Sequence, residues 1–170
     1  IGGGFFTEKK MPKTHKFRSL AQCITHPGEL PMTDMINFGS EYNQHIALVG
    51  VLAFQLANGR MPAPNSKEDS DAVVKCAERF VGAMQVFNET TPNAAAAAIA
   101  GGPMGDGVDA ELVTKVATHA AVEMQPMGAF LGGVLAQEVV KCGGKYTPIN
   151  GFLHFNAMET LPSEPPADTA

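Results

Sequence analysis

The stretch CITH places Cys23 and His26 three positions apart, the spacing in this chain that comes closest to a chemical site. The pair could begin a zinc site, but zinc needs three or four protein ligands and no second pair follows. The pair could also provide a thiol nucleophile beside a basic imidazole. Cys23 is therefore the strongest of three weak candidates for a nucleophile, and a metal site has little support.

The other candidate residues favour structural roles. Cys76 falls on the apolar side of a predicted helix, and Cys142 falls at a predicted helix C-terminus, where the dipole disfavours a thiolate. Glu41 and His45 share a helix face, which is more typical of pairing at the surface than of a ligand set. The remaining histidines stand alone in the sequence. We therefore predict no catalytic, cofactor-binding or metal-binding residue.

Composition and motifs exclude several classes of partner. Neither G-x-G-x-x-G after a strand nor G-x-x-x-x-G-K-[ST] occurs, so no nucleotide fingerprint is present. The net charge of −5 argues against nucleic acid and anionic membrane surfaces, and no apolar run reaches the roughly 18 residues of a membrane span. Three cysteines without paired spacing fit a reducing compartment.

The spacing of apolar residues predicts a mainly α protein built on a four-helix bundle. Ser40, Ser66 and Asp109 are candidate N-caps, and the dipeptide Asn58-Gly59 is a candidate helix stop. The four predicted helices cover residues 40–58, 67–88, 91–100 and 110–124.

Short β-strands are predicted at both ends of the chain. One lies in GGGFFTEKKMP, and two more surround Pro148 and Asn150-Gly151. Isolated strands are not stable, because their ladder partners must come from elsewhere. We therefore expect the two ends to belong to neighbouring domains. The start at Ile1, without an initiator methionine, suggests a piece of a longer protein.

A fifth, very apolar helix in PMGAFLGGVLAQEVVKCGGKY carries two glycines in its middle. Each interior glycine costs roughly 0.8–1 kcal/mol relative to alanine, so close packing against a partner is the expected compensation. We predict two packing stripes, one of small residues (Gly132, Gly133, Ala136 and Val140) and one of bulkier residues (Met127, Leu131, Leu135 and Val139). Without the partner, the chain is expected to self-associate.

The segment from Gly128 to Pro162 closely resembles ubiquitin-activating enzymes, at the point where their inactive adenylation domain resumes after inserted domains. The matching features are GAFLGG, AQEV, the K-C-x-G-K ending at Lys145, and the run LHFNAMETLP. The rest of the chain is collinear with the same family, although the alanine-rich stretch departs from it. The resemblance implies four parts: residues 1–19, the last strand of the first catalytic-cysteine half-domain and a linker; 20–125, the four-helix bundle; 126–161, the returning helix and strands; and 162–170, a linker.

The family implies an ATP-dependent and magnesium-dependent parent enzyme of the cytoplasm and nucleus. Such an enzyme adenylates ubiquitin, holds it as a thioester and passes it to a conjugating enzyme. None of Cys23, Cys76 and Cys142 has the setting of the thioester cysteine, so no catalytic residue is transferred, and this segment alone is predicted to be inactive. Two alternatives stay open: an activating enzyme for another ubiquitin-like modifier, and an independent helical interaction module.

Overall fold

The computed structural model describes residues 14–28, 30–33, 40–90, 107–144 and 146–158. For residues 85–90 it describes the backbone alone. Its described part contains five helices and no strand, which confirms the mainly α fold class. The helices are α1 (Leu20–Thr25), α2 (Ser40–Asn58), α3 (Lys67–Thr90), α4 (Ala110–His119) and α5 (Gln125–Cys142).

Helices α2, α3 and α4 contact one another and enclose the hydrophobic core. Full burial of one such aliphatic or aromatic side chain stabilises the fold by roughly 1.5–3 kcal/mol, so this core is the main stabilising element of the described chain. Its buried members are Ile46, Ala47, Val51, Phe54, Val73, Ala77, Val81, Val113 and Ala117.

Helices α2 and α3 lie close together at Gly50. A Cβ atom at Gly50 would lie 3.1 Å from the Ala77 Cβ and 3.1 Å from the Val73 carbonyl oxygen. The carbonyl belongs to a helix backbone and the methyl group is held by the core, so neither yields easily. The glycine in α2 is therefore explained by packing inside the bundle.

The predicted helix signals are largely confirmed. The Ser66 hydroxyl accepts a hydrogen bond from the Asp69 amide at 3.2 Å, and Asp109 accepts one from the Leu112 amide at 3.0 Å. Gly59 ends α2 with a φ of 67°, in the left-handed region that favours glycine. Ser40 differs from the prediction, because it is the first residue of α2 itself.

The connection between α2 and α3 is held by one carboxylate. Arg60 donates to both oxygens of Asp69, at 2.6 and 2.9 Å, and the Ala63 amide donates to the same group at 2.8 Å. The Arg60 guanidinium also lies over the Phe54 ring, 5.4 Å from its centroid. These hydrogen bonds lower the pKa of Asp69 to about 2, and the bond from Arg60 has the largest effect.

The other predicted elements require correction or lie outside the described residues. Helix α4 ends at His119 and is therefore shorter than predicted. Residues 146–158 contain no strand, so the two strands predicted around Pro148 and Asn150-Gly151 are not found there. The alanine-rich helix at 91–100 and the strand before Pro12 fall outside the described ranges.

Replacing Gly50 by alanine is expected to destabilise the bundle. The added methyl group meets the Val73 carbonyl and the Ala77 methyl group, and overpacking of this kind costs about 1–3 kcal/mol, more than the roughly 0.8–1 kcal/mol gained in helix propensity. Urea unfolding followed by circular dichroism measures the change. Gly82→Ala in α3 is the matched control, since a Cβ there meets nothing within 4 Å, and it should leave stability unchanged or higher. Equal stabilisation by both variants would contradict the close contact.

The Asp69 carboxylate should make the bundle sensitive to acid. Its pKa is about 2 in the folded chain against an ordinary value of 3.8, so the stabilisation it provides is present above about pH 4 and is lost as the pH falls toward 2. Urea midpoints of the wild type and of Asp69→Asn should therefore differ at pH 6 and converge near pH 2. A gap that is constant with pH would show that the carboxylate charge is not involved.

Candidate functional site

Helix α5 has no buried residue, although it is among the most apolar segments of the chain. Leu135, Val139 and Val140 are 65%, 64% and 70% exposed. Exposed apolar surface that is continuous along a helix is uncommon in a monomer and marks an interaction site or an association hazard. This exposed side of α5 is the candidate functional site, and we call it the α5 face. It consists of Leu131, Gly132, Gly133, Leu135, Ala136, Val139 and Val140.

The glycines of α5 stand in open space. A Cβ placed at Gly128, Gly132 or Gly133 would meet no atom within 4 Å. No close packing against a described part of the chain therefore offsets the helix stability that these glycines cost. Gly50, by contrast, carries the close helix contact that the sequence suggested for α5. Whether a partner covers the α5 face stays a prediction.

The opposite side of α5 rests on the segment that follows it. The Phe130 and Phe155 rings lie 4.6 Å apart, and the Ile149 amide donates to a Glu138 oxygen at 2.8 Å. Lys141 pairs with the same carboxylate. The bond from Lys141 and, to a smaller extent, the bond from Ile149 lower the pKa of Glu138. Among the predicted packing residues, Met127 differs from the other seven because it is half-buried. The packing role predicted for the two stripes stays a prediction.

A buried histidine pair joins the segment after α5 to the bundle. His45 of α2 places Nδ1 3.1 Å from Nε2 of His154, while its own Nε2 lies 2.8 Å from the Ile24 carbonyl oxygen. A carbonyl only accepts, so Nε2 of His45 carries the proton and its Nδ1 accepts from Nε2–H of His154. Phe152 packs edge-on against the His45 ring at 5.2 Å. One contact therefore ties α1, α2 and residues 152–154 together.

Burial keeps both rings of this pair neutral. It lowers the pKa of His45, against the opposing effect of the hydrogen bond to Ile24. Burial, followed by repulsion from His45, lowers the pKa of His154 to about 4. The carboxylate of Glu41 is buried nearby on α2 and accepts a hydrogen bond from the Thr33 amide at 3.2 Å. The hydroxyl of Thr33 donates to the His154 carbonyl at 2.7 Å.

Several sequence interpretations change with this geometry. His45 and His154 do not stand alone, and Glu41 is buried and does not pair at the surface. Cys23 lies within α1 and is only 5% exposed, a position that does not suit a nucleophile. Cys76 is half-buried against the core, as expected. The sequence contained one usable signal, because His45 lies amid the apolar residues of α2.

Two kinds of feature are not found among the described residues: a metal-ligand cluster and a membrane-spanning helix. Within the ranges that the structure covers, His, Cys, Asp and Glu side chains form no group of three that could hold a metal ion. Among those same residues, no helix combines the length and apolar content needed to cross a membrane.

Comparison with known proteins identifies the class. Residues 11–81 match the family model of the ubiquitin-activating enzyme E1 four-helix bundle. The chain is 34% identical over 170 residues to ubiquitin-like modifier-activating enzyme 1 of Rattus norvegicus, a match that covers 99% of this chain and 15% of that enzyme. It is 31% identical over 169 residues to ubiquitin-activating enzyme E1 1 of Arabidopsis thaliana, covering 97% of this chain and 14% of that enzyme.

The chain belongs to the ubiquitin-activating enzyme family and is similar to one structural segment of it, which includes the four-helix bundle. It spans about 15% of the length of the rat enzyme, so it represents one part of the proteins it matches. The family resemblance predicted from Gly128 to Pro162 is confirmed.

Acid should loosen the contact between the bundle and residues 152–154. The His154 pKa is about 4 in the folded chain and 6.5 ordinarily, so the stabilisation that depends on the neutral ring is present above about pH 6.5 and is lost as the pH falls toward 4. Thermal unfolding of the wild type should therefore weaken over this range.

His154→Gln tests the titration itself, since its amide nitrogen can still donate to His45 but does not titrate. We expect a flatter stability profile between pH 6.5 and 4 for this variant. His119→Gln, on α4, is the matched control and should keep the wild-type slope. The same slope in all three proteins would rule out the histidine pair as its source.

Proposed function

We propose that this chain is a non-catalytic scaffold within a larger ubiquitin-activating enzyme. The single observation that carries the proposal is the contrast between a bundle with its own core and the neighbouring α5, which has no buried residue. A bundle that is stable by itself can act as a rigid spacer. An adjoining helix with an open apolar face supplies the surface on which another domain is positioned.

The occupant of the α5 face is, in this proposal, the adenylation region of the same parent chain. Two observations support it: the relatives continue far beyond the matched segment, since the match covers only 15% of the rat enzyme, and the small residues of the face leave room for close backbone approach. Glycine and alanine at the surface of a helix allow a neighbouring element to pack at short range. A second copy of this chain would occupy the face only when the parent's polypeptide is absent.

The activity belongs to the parent in this proposal. The parent uses ATP and magnesium to adenylate ubiquitin, forms a ubiquitin thioester and transfers ubiquitin to conjugating enzymes, in the cytoplasm and the nucleus. Cys23, Cys76 and Cys142 take no part, which fits the buried position of Cys23 and the half-buried position of Cys76. ATP–pyrophosphate exchange dependent on ubiquitin should therefore be found in the parent and not in this segment.

A second candidate is a parent that activates another ubiquitin-like modifier. The rat relative is described as a ubiquitin-like modifier-activating enzyme, a wording broader than that of the Arabidopsis thaliana relative. Offering the parent ubiquitin and other modifiers separately in the exchange assay distinguishes the two. The idea of an independent helical module loses support, because the matches extend over 97–99% of this chain within much longer enzymes.

Leu135→Glu tests the α5 face. In the isolated chain, it should reduce self-association and the binding of a hydrophobic dye without lowering stability, because the side chain is already 65% exposed. In the parent, the same variant should reduce ubiquitin thioester formation, since a carboxylate would be buried against the adenylation region. Light scattering and a gel assay for the thioester provide the readouts.

Leu56→Glu is the matched control for this test. Leu56 is 89% exposed on α2, outside the α5 face, so its replacement should leave both association and thioester formation unchanged. Wild-type thioester formation by the Leu135 variant would contradict the proposed occupant. Exchange activity in the isolated chain would contradict the scaffold role.

A further inference from the structure

The side chain of Arg18 joins the beginning of the described chain to its end. Its guanidinium donates to the His26 carbonyl at 2.6 Å, to the Pro27 carbonyl at 2.7 Å and to the Asn150 carbonyl at 2.8 Å. The planar fork of an arginine can satisfy several acceptors at fixed angles, which a lysine cannot reproduce. Arg18 thus links the segment that enters α1, the loop that leaves α1, and the segment that follows α5.

Asn150 completes this link from the other side. Its Oδ1 accepts from the Arg18 amide at 3.0 Å, and its Nδ2 donates to the Lys16 carbonyl at 3.0 Å. The side-chain amide therefore pairs with the backbone of the entering segment at two points. Two bonds of this kind fix both the distance and the direction between segments that are 132 residues apart in sequence.

Two glycines make room for the guanidinium. A Cβ at Gly28 would lie 3.0 Å from Nη1 of Arg18, and a Cβ at Gly151 would lie 3.0 Å from its Nη2. Both glycines also have positive φ angles, 70° and 142°, that other residues rarely adopt. The hydroxyl of Tyr42 on α2 donates to the Gly28 carbonyl at 2.9 Å, which connects this loop to the bundle. The backbone around Arg18 is therefore shaped to receive it.

The same segment is also bonded to α5. Ile149, adjacent to Asn150, donates its amide to the Glu138 carboxylate at 2.8 Å, and Lys141 pairs with that carboxylate. Glu138 is half-buried and does not belong to the α5 face. A continuous series of hydrogen bonds therefore leads from Lys16 and Arg18 through residues 149–150 to the side of α5 that the chain covers.

We propose that Arg18, Asn150 and Glu138 form a polar brace that fixes the orientation of α5 relative to the segment entering the bundle. The three are positioning residues, because they direct the α5 face without being part of it. The brace stands on these hydrogen bonds alone. One consequence of the brace rests on the proposed scaffold function. The polypeptide before Lys16 is held at a fixed angle to the partner that binds the α5 face.

Hydrogen exchange at a single amide tests the coupling in the 170-residue chain. The Ile149 amide donates to Glu138, whereas Arg18 bonds to Asn150, so faster Ile149 exchange in an Arg18 variant reports an effect passed on through residues 149–150. We expect Arg18→Gln to speed Ile149 exchange about tenfold, comparable to losing one hydrogen bond to a charged group, while amides of the α2–α3 core stay protected. Arg18→Lys should give an intermediate rate.

Three further variants make the result decisive. Glu138→Ala removes the acceptor and should speed Ile149 exchange directly, and combining it with Arg18→Gln should give less than the product of the two effects, because both act on one network. Asn150→Ala repeats the test without touching the arginine. Lys115→Gln, which breaks the surface pair with Glu111 on α4, is the control and should change nothing at Ile149.

Wild-type Ile149 exchange in both the Arg18 and the Asn150 variants would overturn the brace, as would full multiplication of the Arg18 and Glu138 effects. This outcome is separate from the fate of the scaffold proposal. Coupled exchange in the chain would support the brace. If the parent carrying Leu135→Glu still formed the thioester normally, the scaffold function would be rejected while the brace would stand.

Discussion

The close approach of α2 to α3 at Gly50 is the constraint on which the other contacts depend. A Cβ at Gly50 would lie only 3.1 Å from the Val73 carbonyl oxygen and from the Ala77 Cβ, so a side chain there would require the two helices to shift. Packed interiors transmit such constraints because they contain few voids. Once α2 is fixed in this way, the residues on its other sides point in fixed directions.

Helix α2 serves two environments from this position. Its apolar residues, among them Ile46 and Phe54, complete the core with α3 and α4. Near its N-terminal end, His45 is buried against α1 and residues 152–154, and Glu41 is buried and bonded to Thr33. Buried polar groups are tolerated only when they are hydrogen-bonded. Here Glu41 accepts from the Thr33 amide, and His45 bonds to Ile24 and to the distant His154. The helix that stabilises the bundle therefore also attaches the segment that returns after α5.

Helix α5 differs from α2 because its large aliphatic residues are mostly exposed. Its half-buried side consists of Met127, Val134, Glu138 and Lys141, and its exposed side carries the aliphatic and small residues of the α5 face. An isolated globular protein usually turns the apolar side inward. The open apolar face, in a chain similar to about 15% of a much longer enzyme, is what gives α5 its place in the proposed scaffold.

The sequence by itself determined what depends on neighbouring residues. The caps at Ser66 and Asp109, the stop at Gly59, the apolar character of α5 and the family all followed from local pattern or motif. Only the tertiary structure decided which glycine is packed and which is open, since Gly50 and Gly132 have the same intrinsic effect on a helix and differ only in what lies opposite. It likewise decided that His45 meets His154 and Arg18 meets Asn150, because contacts between residues 109 and 132 positions apart arise from how helices dock and leave no periodic signal in the chain.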